Sequence, residues 1–185
     1  MTNSKEAILA AARRSAQAYG YGGLNFRDLA DEVGIKAASI YHHFPSKADL
    51  GVAVARRYWE DTKEYLGNLA QADDPLSALR QYPGIFRRSL ESANKLCLCS
   101  FMSAEYDDLP EPVKKEVQTF ADVNVAWLSK ELTAAGVVPR KKSEERARAI
   151  FAAVAGAQLM ARSRSDISLF DTLIESYRAT GLLPA

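Results

Sequence analysis

Apolar residues recur along almost the whole chain at intervals of three and four. No alternating run of Val, Ile and Thr bounded by hairpin turns interrupts them. This restricts the chain to helices, because that spacing gathers side chains on one helical face and would scatter them over both faces of a strand. The sequence predicts an all-α fold of about nine helices with short joints. Ile8, Leu9, Ala12, Ala16 and Tyr19 form the stripe of a first helix, begun at Asn3 or Ser4 and stopped by glycines at 20, 22 and 23. Asn25, with Asp28 three positions on, caps a second helix that buries Leu29, Ala30 and Val33 and ends at Gly34. A third runs from Ala37 or Ala38 to His43, ahead of Pro45. Ser46 and Asp49 repeat the capping arrangement for a longer helix, with Leu50, Val54, Tyr58 and Leu66 or Leu69 inward. Asp73, Asp74 and Pro75 start the next, kinked or divided at Pro83 and Gly84 before Ile85, Phe86 and Leu90. Leu109 to Pro112 opens a helix through Val113, Val117, Phe120, Val123, Trp127 and Leu132, closed by Gly136 and Pro139. Ser143 begins another, and a last one follows Asp166 or Ser168 to about Thr180.

Composition excludes several function classes. Lys and Arg number 24 against 23 Asp and Glu, so the 185-residue chain has no polybasic tail, and 48% apolar residues suffice for a packed core. The longest uncharged stretch, Ala149 to Ala161, has 13 residues, short of the roughly 20 that cross a bilayer. Lys5, Glu6, Arg13 and Arg14 break up any N-terminal signal sequence. A cytoplasmic protein without a membrane partner is expected. Cys97 and Cys99 are too few for a disulfide framework and too close for a zinc knuckle. His42 and His43 are consecutive rather than four apart, so they do not share a metal. With no phosphate-binding glycine loop and no nucleophile motif, neither a cofactor nor an enzymatic activity is expected.

The most informative stretch is LNFRDLADEVGIKAASIYHHFPSKADL, from Leu24 to Leu50. Two short helices about a turn at Gly34-Ile35-Lys36 have the form of a helix-turn-helix, whose second helix enters the DNA major groove while the first crosses the backbone. Leu29, Ala30 and Val33 can face Ile35, Ile40 and Phe44, leaving Lys36, Ala37, Ser39, Tyr41, His42 and His43 more exposed. Ala37, Ala38 and Ser39 are small enough to let the helix approach base edges. In the block FRDLADEVGIKAASIYHHFPSKADL, the aromatic residues around the histidines, the Pro45-Ser46-Lys47 joint and Gly34 stand in register. This stretch closely resembles the DNA-binding domain of the TetR family of bacterial transcriptional regulators. The rest of the chain resembles the family in length and helical character.

By position, the resemblance implies that Lys36, Ala37, Ser39 and His42 face the groove and that Asn25, Arg27, Tyr41 and Lys47 contact phosphates. The chemistry agrees for two of them. Lys47 lies in the first turn of its helix, where free amides also attract phosphate, and the Tyr41 hydroxyl can donate to a phosphate oxygen. Asn25 has a competing task as a helix cap, and Arg27 a competing place as a solvated charge beside Asp28 or Asp31. Residues 1–50 carry six Lys and Arg against five Asp and Glu, so placement rather than net charge must favour DNA. Residues 1–48 are read as the DNA-binding domain and 49–185 as a helical effector-binding and dimerisation domain.

A two-helix reader needs a second copy on a two-fold axis to recognise a palindromic operator in double-stranded DNA. Ile150, Phe151, Val154, Ala157, Gln158 and Ala161 form the expected dimer stripe, whose alternative is central core; the resemblance implies a four-helix bundle there. It also implies a pocket among the central helices for a small-molecule effector. The composition there suits an apolar or aromatic ligand, with Trp59, Phe86, Phe101, Met102, Tyr106 and Trp127 as candidate contacts and core packing as their alternative. Cys97 and Cys99 read either as buried small hydrophobes or as a thiol that senses oxidants or electrophiles. The resulting expectation is a homodimeric repressor released from its operator by a small molecule that shifts the helix starting at Ser46. The alternatives are a thiol-based regulator, or a helical carrier or enzyme with a vestigial helix-turn-helix.

Overall fold

The computed structural model describes residues 4–72 and 74–185. Asn3 and Asp73, two expected helix starts, lie outside them. Among the described residues there are no strands and ten α-helices: α1 (Ser4–Tyr19), α2 (Phe26–Val33), α3 (Ala37–His43), α4 (Lys47–Ala72), α5 (Pro75–Gln81), α6 (Gly84–Glu91), α7 (Leu98–Ala104), α8 (Glu111–Ala134), α9 (Arg140–Ser163) and α10 (Ile167–Ala179). The all-α expectation holds. The additional helix is α7, whose seven mostly apolar residues are too short a run to carry a periodic signal. No helix among the described residues is long and apolar enough to cross a membrane.

Side-chain caps set several of the helix starts. The side chain of Asp74 accepts the amides of Leu76 and Ser77 ahead of α5, and that of Asp166 accepts those of Ser168 and Leu169 ahead of α10. Pro83 and Gly84 divide α5 from α6, as expected. Helix α9 begins at Arg140 rather than Ser143, because Ser143 is buried, donating to the Arg140 carbonyl and bonded to the Ser129 hydroxyl. Tyr19, expected on the inner stripe of α1, is 72% exposed because the helix stops there.

The chain divides into two compact units. The first comprises the residues up to Glu60 together with Leu98–Thr119. In it α1 packs on α2, α3 and α7, and Ile8, Ala12, Ala16, Leu29, Ile40, Leu50 and Met102 are almost wholly buried. Arg14 pairs with Glu32 across α1 and α2. Between α4 and α8, Glu116 accepts hydrogen bonds from Arg56 and, at 2.8 Å, from the indole nitrogen of Trp59. Burial by itself would raise the Glu116 carboxyl, but the bonds from Arg56 and Trp59, with the Arg56 charge, bring it below its ordinary value. Its stabilising contribution is therefore present above the ordinary carboxylate range and lost as pH falls through the lowered value. Trp59 emission, followed in a Trp127→Phe background, is expected to change in that acid window. Glu116→Gln should abolish the transition, and a transition that survives it excludes this carboxylate.

The second unit comprises Asp61–Cys97 and Phe120–Ala185. There α9 packs on α10 and α6, and Phe151 meets Phe86 and Phe120 with ring centroids about 6 Å apart. Three buried polar groups are matched. The Tyr82 hydroxyl donates to Asn124 Oδ1 at 3.0 Å, and the Asn124 amide donates to the Phe120 carbonyl. Gln158 accepts the Cys97 amide through Oε1 at 3.1 Å and donates through Nε2 to the Phe86 carbonyl at 2.7 Å. Burial, with a smaller effect from Cys97, pushes the Tyr82 phenol well above its usual range.

Candidate nucleic-acid interface

The local chemistry of residues 25–49 builds the helix-turn-helix from its caps. Asn25 Oδ1 accepts the amides of Arg27 at 2.9 Å and Asp28 at 3.4 Å, fixing the start of α2. At the other end Gly34 is left-handed, with φ 74°, and the Ile35 amide reaches the Ala30 carbonyl at 3.0 Å. This Schellman-type closure turns the chain sharply enough for α3 to start at Ala37. Ser46 donates to the Asp49 carboxylate at 2.7 Å and accepts its amide at 3.1 Å, starting α4. Leu29, Ala30, Ile40 and Phe44 are buried, while Val33 and Ile35 are half-buried.

This frame decides which side chains point outward. Lys36, Tyr41 and His42 are exposed, Tyr41 by 56%. Ala37 and Ser39 are half-buried, and Ala38, which shares a face with His42, is the exposed small residue of α3. His43 turns inward, its Nε2 2.7 Å from the Ser4 hydroxyl. Phe26 holds the Tyr41 ring at 4.7 Å.

Leu24, Asn25, Phe26, Arg27, Ala37, Tyr41 and Lys47 together line a concavity of about 470 Å³. Five of the expected DNA contacts therefore meet on one surface. It combines one guanidinium, one ammonium, a phenol and an amide, the donor chemistry that holds phosphate oxygens. Asp28, Asp31 and Glu32 are also exposed, but Glu32 is paired to Arg14. Lys47 Nζ sits 4.6 Å above the Tyr21 ring and 3.4 Å from the Gly22 carbonyl. Tyr21 is a contributor that sequence reasoning missed, since an aromatic residue between glycines carries no periodic signal.

The expected effector contacts are divided. Trp59, Phe101, Met102 and Tyr106 belong to the first unit, and Phe86 and Trp127 to the second. Met102 and Phe86 have no accessible surface, so both are core, while Tyr106 is exposed beneath Lys114. Trp127 stacks on Tyr82 at 5.8 Å, and its buried indole N–H meets no hydrogen-bond acceptor among the described residues. A cavity of about 420 Å³ between α5, α6 and α10 includes none of the six.

The expected dimer stripe needs correction. Ile150, Val154, Ala157, Gln158 and Ala161 are 0% exposed in their own chain, and Phe151 packs on Phe86 and Phe120. A side chain with no accessible surface has none to offer a partner. The outward face of α9 carries Ala152, Gly156, Leu159 and Met160 instead, with Leu159 58% and Met160 47% exposed. Cys97 and Cys99 are buried, withheld from solution oxidants.

A model of the bacterial regulatory proteins of the tetR family matches residues 8–54. The HTH-type transcriptional repressor AcnR of Corynebacterium glutamicum is 42% identical over 55 residues, covering 30% of this chain and 29% of that protein. A TetR transcriptional regulator from Legionella pneumophila superposes with a TM-score of 0.91 at 29% identity, over 97% of this chain and 98% of the other. A TetR-family regulator from Agrobacterium tumefaciens gives a TM-score of 0.87 at 30% identity, over 96% of each chain. With this likeness extending over nearly the whole length, and with the helix-turn-helix assembled cap by cap, the chain belongs to the TetR family of DNA-binding transcriptional regulators.

Proposed function

We propose that the protein is a cytoplasmic, homodimeric repressor, without enzymatic activity, that binds a palindromic operator and is released by a small molecule. The observation that carries the DNA assignment is the convergence of Asn25, Arg27, Ala37, Tyr41 and Lys47 on one concave surface beside the exposed face of α3. The repressor sense is supported by the name of the Corynebacterium relative that matches over 55 residues. Residues 1–48 serve as the DNA-binding segment and 49–185 as the effector and dimerisation segment. Dimerisation is assigned to the outward face of α9, where Ala152 and Gly156 allow close approach and Leu159 and Met160 supply apolar surface. For the effector, the buried Trp127 N–H, which meets no acceptor among the described residues, favours a largely apolar ligand carrying one hydrogen-bond acceptor. Helix α4, continuous from Lys47 to Ala72, contributes residues to both compact units and is the element through which a ligand would bias the DNA-reading end.

Fluorescence anisotropy with DNA from upstream of the protein's own gene, against a scrambled duplex and across a salt series, tests this reading. Specific binding at two protomers per duplex supports it; equal weak binding to both duplexes counts against it. Leu159→Glu with Met160→Glu is expected to give a monomer in sedimentation and to lose specific DNA binding. A dimer that persists in the double variant would place the interface elsewhere.

A further inference from the structure

We propose that Glu105 is a positioning residue of the DNA interface, acting on Lys47 through the turn at residues 20–23; the inference rests on the assignment of Lys47 to a phosphate. The turn lies between α1 and α2, and its first amide, that of Tyr21, opens a short 3-10 segment and so has no acceptor within it. Glu105, at the end of α7 and 84 residues away in sequence, supplies one. Its Oε2 accepts the Tyr21 N–H at 2.7 Å. The carboxylate lies directly on the bare Cα of Gly20, where a Cβ would come within 2.1 Å of Oε2. Gly20 also has φ 66°, a conformation that disfavours other residues, so the turn is shaped to admit this carboxylate.

What the carboxylate fixes bears on Lys47. The Tyr21 ring forms the surface 4.6 Å beneath Lys47 Nζ, and the next residue's carbonyl, at Gly22, accepts from the same nitrogen at 3.4 Å. Gly51, one turn along α4 from Lys47, lets the Tyr21 ring approach the helix closely; a Cβ there would sit 2.8 Å from Tyr21 Cε2. Ser15 holds the far end of the turn through the Gly23 carbonyl at 2.6 Å. A lysine on a flexible four-carbon stem is thereby held in one arrangement before DNA arrives. One of its three protons faces Gly22, leaving the others for a phosphate oxygen. A lysine not so held meets an ordering cost comparable to what the phosphate contact returns, so the contact itself is lost when the turn loosens. Ordinary stabilisation of α7 would not single out Lys47.

A double-mutant cycle on the full-length protein tests the inference, using the same upstream duplex and scrambled control. Glu105→Ala is expected to weaken specific binding about five- to tenfold, and to flatten the slope of log K against log salt by about 0.9 per protomer, the signature of one lost phosphate contact. Glu105→Gln, which keeps an acceptor for the Tyr21 amide, should restore both. In a Lys47→Ala background Glu105→Ala should cost nothing further. Losses that multiply, or an unchanged salt slope in Glu105→Ala, overturn the proposal, since a merely structural role lowers stability without altering the phosphate count. A Lys47→Ala variant with an unchanged slope would instead overturn the phosphate assignment, and the role of Glu105 with it. Should Glu105→Ala fail to fold, Glu105→Asp carries the same test, because it keeps the charge and withdraws the acceptor by one methylene.

Discussion

Replacing Tyr41 by phenylalanine and Lys47 by alanine together is expected to reduce specific DNA affinity about 100-fold while leaving the helical circular dichroism unchanged. The estimate counts two phosphate contacts in each of two protomers at about 0.7 kcal/mol apiece, or about 3 kcal/mol for the dimer, against about 1.4 kcal/mol per factor of ten. Folding should survive because neither polar group supports the core. Tyr41→Phe retains the ring that packs on Phe26 at 4.7 Å. Lys47 lies at the beginning of α4, and alanine is an excellent helix former there. Anisotropy across a salt series is the appropriate measurement, since losing phosphate contacts flattens the salt dependence as well as lowering affinity. Affinity within about threefold of the parent would show that this surface is not where DNA binds.

The second large effect concerns Gln158, which bridges the segment before α7 and the helix α6 inside the second unit. Gln158→Leu keeps the approximate volume but takes the side-chain acceptor from the Cys97 amide and removes the second bond of the Phe86 carbonyl, which keeps its bond within α6, at a site with no accessible surface. Removing the acceptor of a buried amide costs about 1–3 kcal/mol and the lost second bond about 1 kcal/mol, and the added apolar burial offsets part of this, for a net loss of about 1–3 kcal/mol. For a chain of this size that corresponds to a fall in Tm of about 3–10 °C. Thermal unfolding of the two proteins side by side measures it. A fall of less than about 2 °C would mean that the neighbouring backbone finds other partners.

The helix-turn-helix was legible in the sequence because its determinants are local. Asn25, Gly34, Ser46 and Asp49 act within four residues of where they stand, and the structure uses each at the boundary expected of it. Asn124 and Glu131 were not read as core, although the register through Val113, Val117, Phe120 and Leu128 places both on the buried face of α8. Polar identity obscured what position disclosed. The stripe on α9 was found at the correct period, but periodicity identifies a buried face without saying whether the chain or a second copy buries it. Only packing against Phe86 and Phe120 assigns that face to the chain's own core, and only then do Leu159 and Met160 stand out.

By itself, then, the sequence determined the helical class, the position of the DNA-reading helices and most of their caps, since backbone hydrogen bonding and side-chain period act over a few residues. The tertiary structure decided which faces are spent on the core, and it brought Glu105 against Gly20 and Lys47 above Tyr21. Those contacts join residues tens of positions apart. Such pairings depend on how helices pack, and no local spacing in a single chain encodes them.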